Sequence, residues 1–286
     1  MNHPAIRKDA VAVITGAAVG IGYAIARKVA KEGMKVVLFD RDEAALNAAA
    51  KAILNDFTGV KVLAITGDVT SESDLHELYE QSCEFGEVSL LVNNAAIMNA
   101  AGPWDSLSKW RTLMDINFWS ALTLQNLFVE TMFSLPGCSA IVNVGSKEGI
   151  TTRPGNAAYS VSKAAIKVLT EQLAHELREK VGDKITAHLL IPGYTFTPMN
   201  FPGMTSTSAK PDAPWTADQV AARLTEKMAV GDFYIFCEDN EATWELDQRR
   251  MQWAADDLIL NRPALSRWHK DYADEFQAFA VGKTGK

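Results

Sequence analysis

Cysteine is scarce in this chain. Cys83, Cys138 and Cys237 are odd in number and far apart, and no C-x-x-C occurs. That argues against a disulfide framework and a thiolate zinc site, and it suits a reducing compartment. His3, His76, His175, His188 and His269 show no metal-ligand spacing, so no metal is expected. No run of about 18 apolar residues is present to span a bilayer. Residues 1–10 are polar and lack the apolar stretch of a signal peptide. Positive charge is not in excess: 28 Lys and Arg stand against 35 Asp and Glu, a net charge of −7. No basic field invites nucleic acid or anionic lipid. Repeats and low-complexity segments are also missing. The expectation is a cytoplasmic protein that handles small molecules, with no nucleic acid and no membrane as partner.

What is present is an alternation. Short β-branched runs, "AVAVIT", "KVVLFD", "KVLAITGD", "SLLVNNAA", "SAIVNVGS", "KITAHLLIPG" and "DFYIF", are separated by helical patterns. Helices are predicted at "IGYAIARKVAKEG", "DEAALNAAAKAI", "SESDLHELYEQSCEFG", roughly 106–134, and "AYSVSKAAIKVLTEQLAHELREK". This order implies an α/β fold with a doubly wound, parallel, seven-stranded sheet and helices on both faces. Length allows one domain over 1–286. Residues 194–216 break the pattern, are rich in Pro, Ser and Thr, and predict a substrate loop. A Trp-rich C-terminal extension with two helical stretches follows over about 240–281.

"TGAAVGIG", residues 15–22, joins the first strand to the first helix. Gly16, Gly20 and Gly22 permit a tight turn and close backbone approach, and the helix N-terminus supplies free N–H donors. With Ile21, they are candidates for holding a pyrophosphate. Asp40 ends the second strand about 20 residues on, where a carboxylate accepts from both ribose hydroxyls and repels a 2′-phosphate. Asp40 therefore favours NAD over NADP, although Arg41 beside it can greet a 2′-phosphate; a helix N-cap is the other role open to Asp40. Asp68 and Val69, at the end of the third strand, would flank the adenine. Asn94 and Ala95 follow the fourth.

"YSVSK" places Tyr159 and Lys163 one helical turn apart on one face. A phenol, with an ordinary pKa of about 10, is a poor base near neutrality, and a neighbouring ammonium favours the phenolate. Lys163 is expected to lower the Tyr159 pKa and make it a usable acid–base group.

These stretches, with "NNAA", "IVNVGSKEG" and "PGYTFT", stand in the order and at the spacings of the short-chain dehydrogenase/reductases, and the chain resembles that family over about residues 8–200. The resemblance implies a Rossmann-type fold and an NAD(P)-dependent oxidoreductase interconverting a secondary alcohol and a ketone. It implies a catalytic set of Asn117, Ser146, Tyr159 and Lys163. Ser146 would hold the substrate oxygen, Asn117 a proton-relay water, and Lys163 the nicotinamide ribose. Pro192, Gly193, Thr195 and Thr197 would meet the nicotinamide and phosphates. Arg153 and Tyr194 join Ser146 and Tyr159 as candidate substrate residues. Helices 106–134 and 159–180 would pair across a two-fold axis in a homo-dimer or homo-tetramer. The chain departs from the family where Ala96 replaces a usual glycine and where its extra tail replaces the usual "VDGG"-like ending. Phe196, Met199, Phe201, Met204 and Trp215 of the loop, with Trp244, Trp253 and Trp268 of the tail, suggest an apolar pocket for a bulky or aryl substrate; packing of the tail helices onto the domain is the other role open to the tail tryptophans. A catalytically silent dinucleotide-binding sensor or scaffold is the alternative.

Overall fold

The computed structural model describes residues 2–205 and 207–282. Strands β1 (Val11–Thr15), β2 (Lys35–Asp40), β3 (Val62–Thr66), β4 (Val88–Asn93), β5 (Ser139–Val144) and β6 (Ile185–Ile191) are the six long predicted runs. A pair of two-residue strands, β7 (Thr195–Phe196) and β8 (Trp215–Thr216), closes the base of the 194–216 loop. The seventh strand of the main sheet, β9, is Tyr234–Phe236. The order is β3-β2-β1-β4-β5-β6-β9, and every pairing is parallel.

The strands read as unbroken apolar runs because both faces are covered. In β1, Ala12 and Ile14 face one side and pack with Ile25 and Val29 of helix α1 (Gly20–Lys31) and Leu46 of α2 (Glu43–Asp56). Val11 and Val13 face the other and meet Leu75 of α3 (Glu72–Phe85). The same alternation splits Val36 and Leu38 from Val37 and Phe39 in β2. Each fully buried Leu, Ile or Phe here contributes roughly 1.5–3 kcal/mol.

The helix predicted over 106–134 is three pieces in line. Leu107–Met114 (α4) and Ser120–Ser134 (α5) flank a π-helical turn, Asp115–Trp119, with Asn117 at its middle. A π turn carries one residue more than an α turn and rotates the helix beyond it, so a 3.6-residue periodicity cannot reveal it. Helix α6 is Ala157–Val181, and α7, Ala217–Ala229, opens with a capping box between Thr216 and Gln219. The extension forms α8 (Trp244–Ile259) and α9 (Ala273–Ala280). Among the described residues no helix is long and apolar enough to cross a membrane.

The strand order reverses between β1 and its neighbours β2 and β4. In doubly wound sheets the crevice at the C-terminal ends of such strands is where ligands bind.

Candidate active site

That crevice opens into a cavity of about 1200 Å³. Its walls include Gly16, Gly20, Ile21, Asp40, Arg41, Asp68, Val69, Asn94 and Ala95. Ser146, Arg153, Tyr159, Lys163, Pro192, Gly193, Tyr194, Thr195 and Thr197 line the same space. Of the predicted site residues, Gly22 and Asn117 stand behind the walls.

The Gly-rich turn is built for close approach. Gly16 has φ +62°, and a Cβ on Gly22 would lie 2.2 Å from the Gly16 carbonyl oxygen and 2.5 Å from the Asn94 amide. That amide donates to the carbonyls of Thr15 and Gly16 at 2.9 and 3.0 Å. Val19, at the N-cap of α1, offers no side-chain cap and the first turn holds no acid, so its backbone donors have no side-chain competitor. These features fit a pyrophosphate. Asp40 accepts from Ala18 N–H at 3.1 Å and Asp42 N–H at 3.2 Å, which ties the turn to the end of β2. The N-cap of α2 is Asp42, leaving Asp40 free of that duty. Asp68 and Val69 lie past the end of β3, which stops at Thr66, and not within the strand as expected.

At the other end, Ser146 follows β5. Its oxygen accepts from the Glu148 N–H at 3.2 Å and caps a short 3₁₀ turn. Tyr159 and Lys163 share one face of α6, with the Lys163 ammonium 5.7 Å from the Tyr159 ring centroid. Both are buried. Lys163 donates to the Val144 carbonyl at 2.8 Å. The expected lowering of the Tyr159 pKa does not occur with the protein's own groups. Burial pushes the phenol up to about 12; the Ser146 hydroxyl pulls it down and the Glu148 carboxylate pushes it up. Burial also pushes Lys163 down to about 8. Desolvation outweighs pairing in a site this enclosed.

Asn117 is buried and spends its amide on structure. It accepts from Ile97 N–H at 2.9 Å and donates to Ile97 O at 3.0 Å and Ser162 Oγ at 3.1 Å. The π turn points it at the segment after β4.

The apolar pocket expected from loop and tail is built only in part from those residues. Of the eight aromatic and Met side chains named, Met199 and Trp268 reach the cavity. Phe201 packs on Tyr194 and Phe196, and Trp253 is buried against Phe276 and Phe279. Charged groups of the tail and of the segment after Ser146 share the wall with Ile97, Met98, Ile116, Val144, Pro198 and Pro202. Lys147 ion-pairs with Asp247 of α8 and, at 3.4 Å, with Asp239; Asp247 also pairs with Arg250 at 3.2 Å. Sequence reasoning missed this set, since Lys147 and Asp247 are far apart in the chain and no local spacing joins them. Arg153 is mostly exposed and lies 3.9 Å from Glu148, whose carboxyl burial pushes up. Among the described residues no cluster of His, Cys, Asp and Glu is suited to a metal.

Comparisons agree with this geometry. A family model described as short chain dehydrogenase matches residues 10–205. A "CLA biosynthesis dehydrogenase/reductase" of Lactiplantibacillus plantarum is 36% identical over 192 residues, 66% of this chain and 66% of the relative. The 1-deoxy-11-beta-hydroxypentalenate dehydrogenase of Streptomyces exfoliatus is 28% identical over 262 residues, 90% of this chain and 93% of the relative. A short-chain dehydrogenase/reductase from Burkholderia phymatum, solved in complex with NAD, superposes with a TM-score of 0.79 at 28% identity, covering 90% of this chain and 96% of that one. L-sorbose reductase from Gluconobacter frateurii, solved with NADPH and L-sorbose, gives 0.68 at 26% identity, covering 78% and 90%. The chain belongs to the short-chain dehydrogenase/reductase family of oxidoreductases.

Proposed function

We propose that this protein is an NAD-dependent dehydrogenase that interconverts a bulky secondary alcohol, aryl carbinols included, and its ketone. One observation carries the reading: the Gly-rich turn and Asp40 line the same cavity as Ser146, Tyr159 and Lys163. When bound, the dinucleotide supplies the hydride acceptor. The Ser146 oxygen accepts from the backbone and its hydroxyl faces the Tyr159 phenol, so a substrate oxygen seated between the two would take the hydroxyl hydrogen. Tyr159 exchanges the proton with that oxygen. Its raised pKa suits proton donation to a ketone, and alcohol oxidation calls for added positive charge beside the ring. Lys163, anchored on Val144, keeps two further hydrogens for the ribose and for a water beside Asn117. Pro192, Gly193, Thr195 and Thr197 line the nicotinamide end; Arg153 and Tyr194 stand at the substrate mouth.

Asp40 supports NAD over NADP, by repelling a 2′-phosphate. A homo-oligomer built on α4–α6 is supported by Leu107, Val161 and Val168, large apolar side chains exposed on those helices, and by exposed Trp119 of the π turn between α4 and α5. The loop, sheet and tail act as one domain in this reading. The test is a panel of alcohols scanned for NADH formation. Turnover of secondary alcohols that rises from 2-propanol to aryl carbinols is the expected result. Dinucleotide binding with no turnover of any alcohol or ketone would indicate a silent sensor instead, and better turnover of small polyols would exclude the bulky substrate.

A further inference from the structure

The charged tail wall has a member that the proposed chemistry does not use. Arg267, in a short turn between α8 and α9, lines the cavity with Arg250 and Trp268. Its guanidinium lies 4.6 Å from the Trp268 ring centroid and 5.0 Å from that of Phe276. Aromatic contacts of this kind fix the plane of an arginine and leave its N–H edge free. Among the described residues, no acceptor takes a hydrogen bond from that edge and no carboxylate lies within ion-pair distance of it, whereas the other cations of this wall are engaged. Lys147 pairs with Asp239 and Asp247, and Arg250 with Asp247. Arg153 lies near Glu148. Glu241 also borders the cavity but is exposed and pairs with neither arginine.

We infer that Arg267, with Arg250 beside it, forms a carboxylate-binding subsite at the substrate end of the cavity. This rests on the proposed alcohol–ketone reading and names the substrate class: a ketone or secondary alcohol carrying a carboxylate at the end remote from the reacting carbon. Position supports it. The tail is docked on the segment between Ser146 and Tyr159 by two contacts, Lys147 with Asp247 and the Trp268 indole with the Thr152 carbonyl at 3.4 Å. The arginines therefore stand on the Ser146 side, while Asp40 and Arg41 mark the adenosine end. Electrostatics agree as well. Burial and then the neighbouring Arg250 push Arg267 down to about 10, against a smaller opposing pull from the Asp247 carboxylate. Arg250 has a buried Nε with no partner. A carboxylate between the two would supply a forked acceptor to both.

The test compares para-acetylbenzoate with acetophenone, which differ by the carboxylate. Binding is followed by tryptophan fluorescence of the whole protein with NADH present, and ketone reduction by NADH loss. The unaltered protein is expected to prefer para-acetylbenzoate by about tenfold or more in Kd. Arg267→Gln should abolish the preference, Arg267→Lys should retain part of it, and Lys270→Gln, which removes a charge from the same tail away from the cavity, should keep it whole. Should Arg267→Gln fail to fold, Arg250→Gln gives the same reading through a smaller loss. Equal binding of the two ketones, or a preference that survives Arg267→Gln, overturns the subsite. Preferential binding without reduction of either ketone would leave the subsite standing and sink the alcohol–ketone reading, so the two failures are separable.

Discussion

The Lys163 ammonium donates to the Val144 carbonyl at 2.8 Å, and so leans on the end of β5 and not on the phenol of Tyr159. Lysine and tyrosine are neighbours on α6, yet the lysine is fixed by the strand that also delivers Ser146. The side chains of the proposed chemistry are thereby held by one strand end and one helix turn.

Tyr159→Phe is expected to leave NAD affinity nearly unchanged and to lower kcat by about 10²–10⁴-fold, the usual contribution of a general acid–base group. Steady-state turnover with a secondary alcohol, alongside NAD titration, checks it. A Phe variant within a few-fold of the parent would remove Tyr159 from the mechanism.

Without dinucleotide, Tyr159 should remain a neutral phenol through pH 8 and 9, because burial holds its pKa near 12. The sign is that of an acid whose charged form is desolvated: the proton is retained to higher pH. Near-ultraviolet difference absorbance of the protein against Tyr159→Phe reports phenolate directly. Phenolate from this residue at neutral pH would contradict the structure.

Asp40→Ala should shift the kcat/KM ratio toward NADP, because the repelling carboxylate is lost and Arg41 remains. It should also loosen the Gly-rich turn, since Ala18 N–H loses its acceptor, so activity with NAD falls too. A parent that already prefers NADP would refute the assignment.

Asn117→Ala leaves both backbone polar groups of Ile97 without their partner. A loss of about 2–4 kcal/mol in chemical denaturation is expected, with activity reduced even where the variant is folded. Asn117→Asp keeps an acceptor for Ile97 N–H and should recover part of the stability. Unchanged stability in the Ala variant would show that the Ile97 clamp is dispensable.

Light scattering at micromolar concentration is expected to give a multiple of the 31.3 kDa chain mass. Val168→Glu on the exposed face of α6 should shift the population toward monomer. A monomer at every concentration would contradict the pairing.

Legibility of the sequence depends on where each signal sits. Strands buried on both faces are written as plain runs such as "KVVLFD", and the Gly16–Gly22 turn is written in adjacent residues, so both are legible. The split of α4 from α5 is not, because one extra residue in a π turn leaves composition untouched. The sharing of one helix face by Tyr159 and Lys163 is legible, whereas the raised pKa of the phenol without dinucleotide is not, since burial is a property of the fold. The charged tail wall escapes notice because Lys147 meets Asp247 across about a hundred residues of chain. The tail tryptophans divide between the two roles open to them: Trp253 packs the extension together and stays out of the cavity, while Trp268 lines it.

Asp239 receives four bonds, from the backbone N–H groups of Tyr194, Glu241 and Ala242 and from Lys147. One carboxylate thus joins the start of the 194–216 loop, the approach to α8 and the residue after Ser146. For anyone recombining members of this family, the loop and the tail are a single heritable module. A loop grafted alone from a relative would lose its fastening, whereas loop, Asp239, Lys147 and α8 moved together would carry their own anchor.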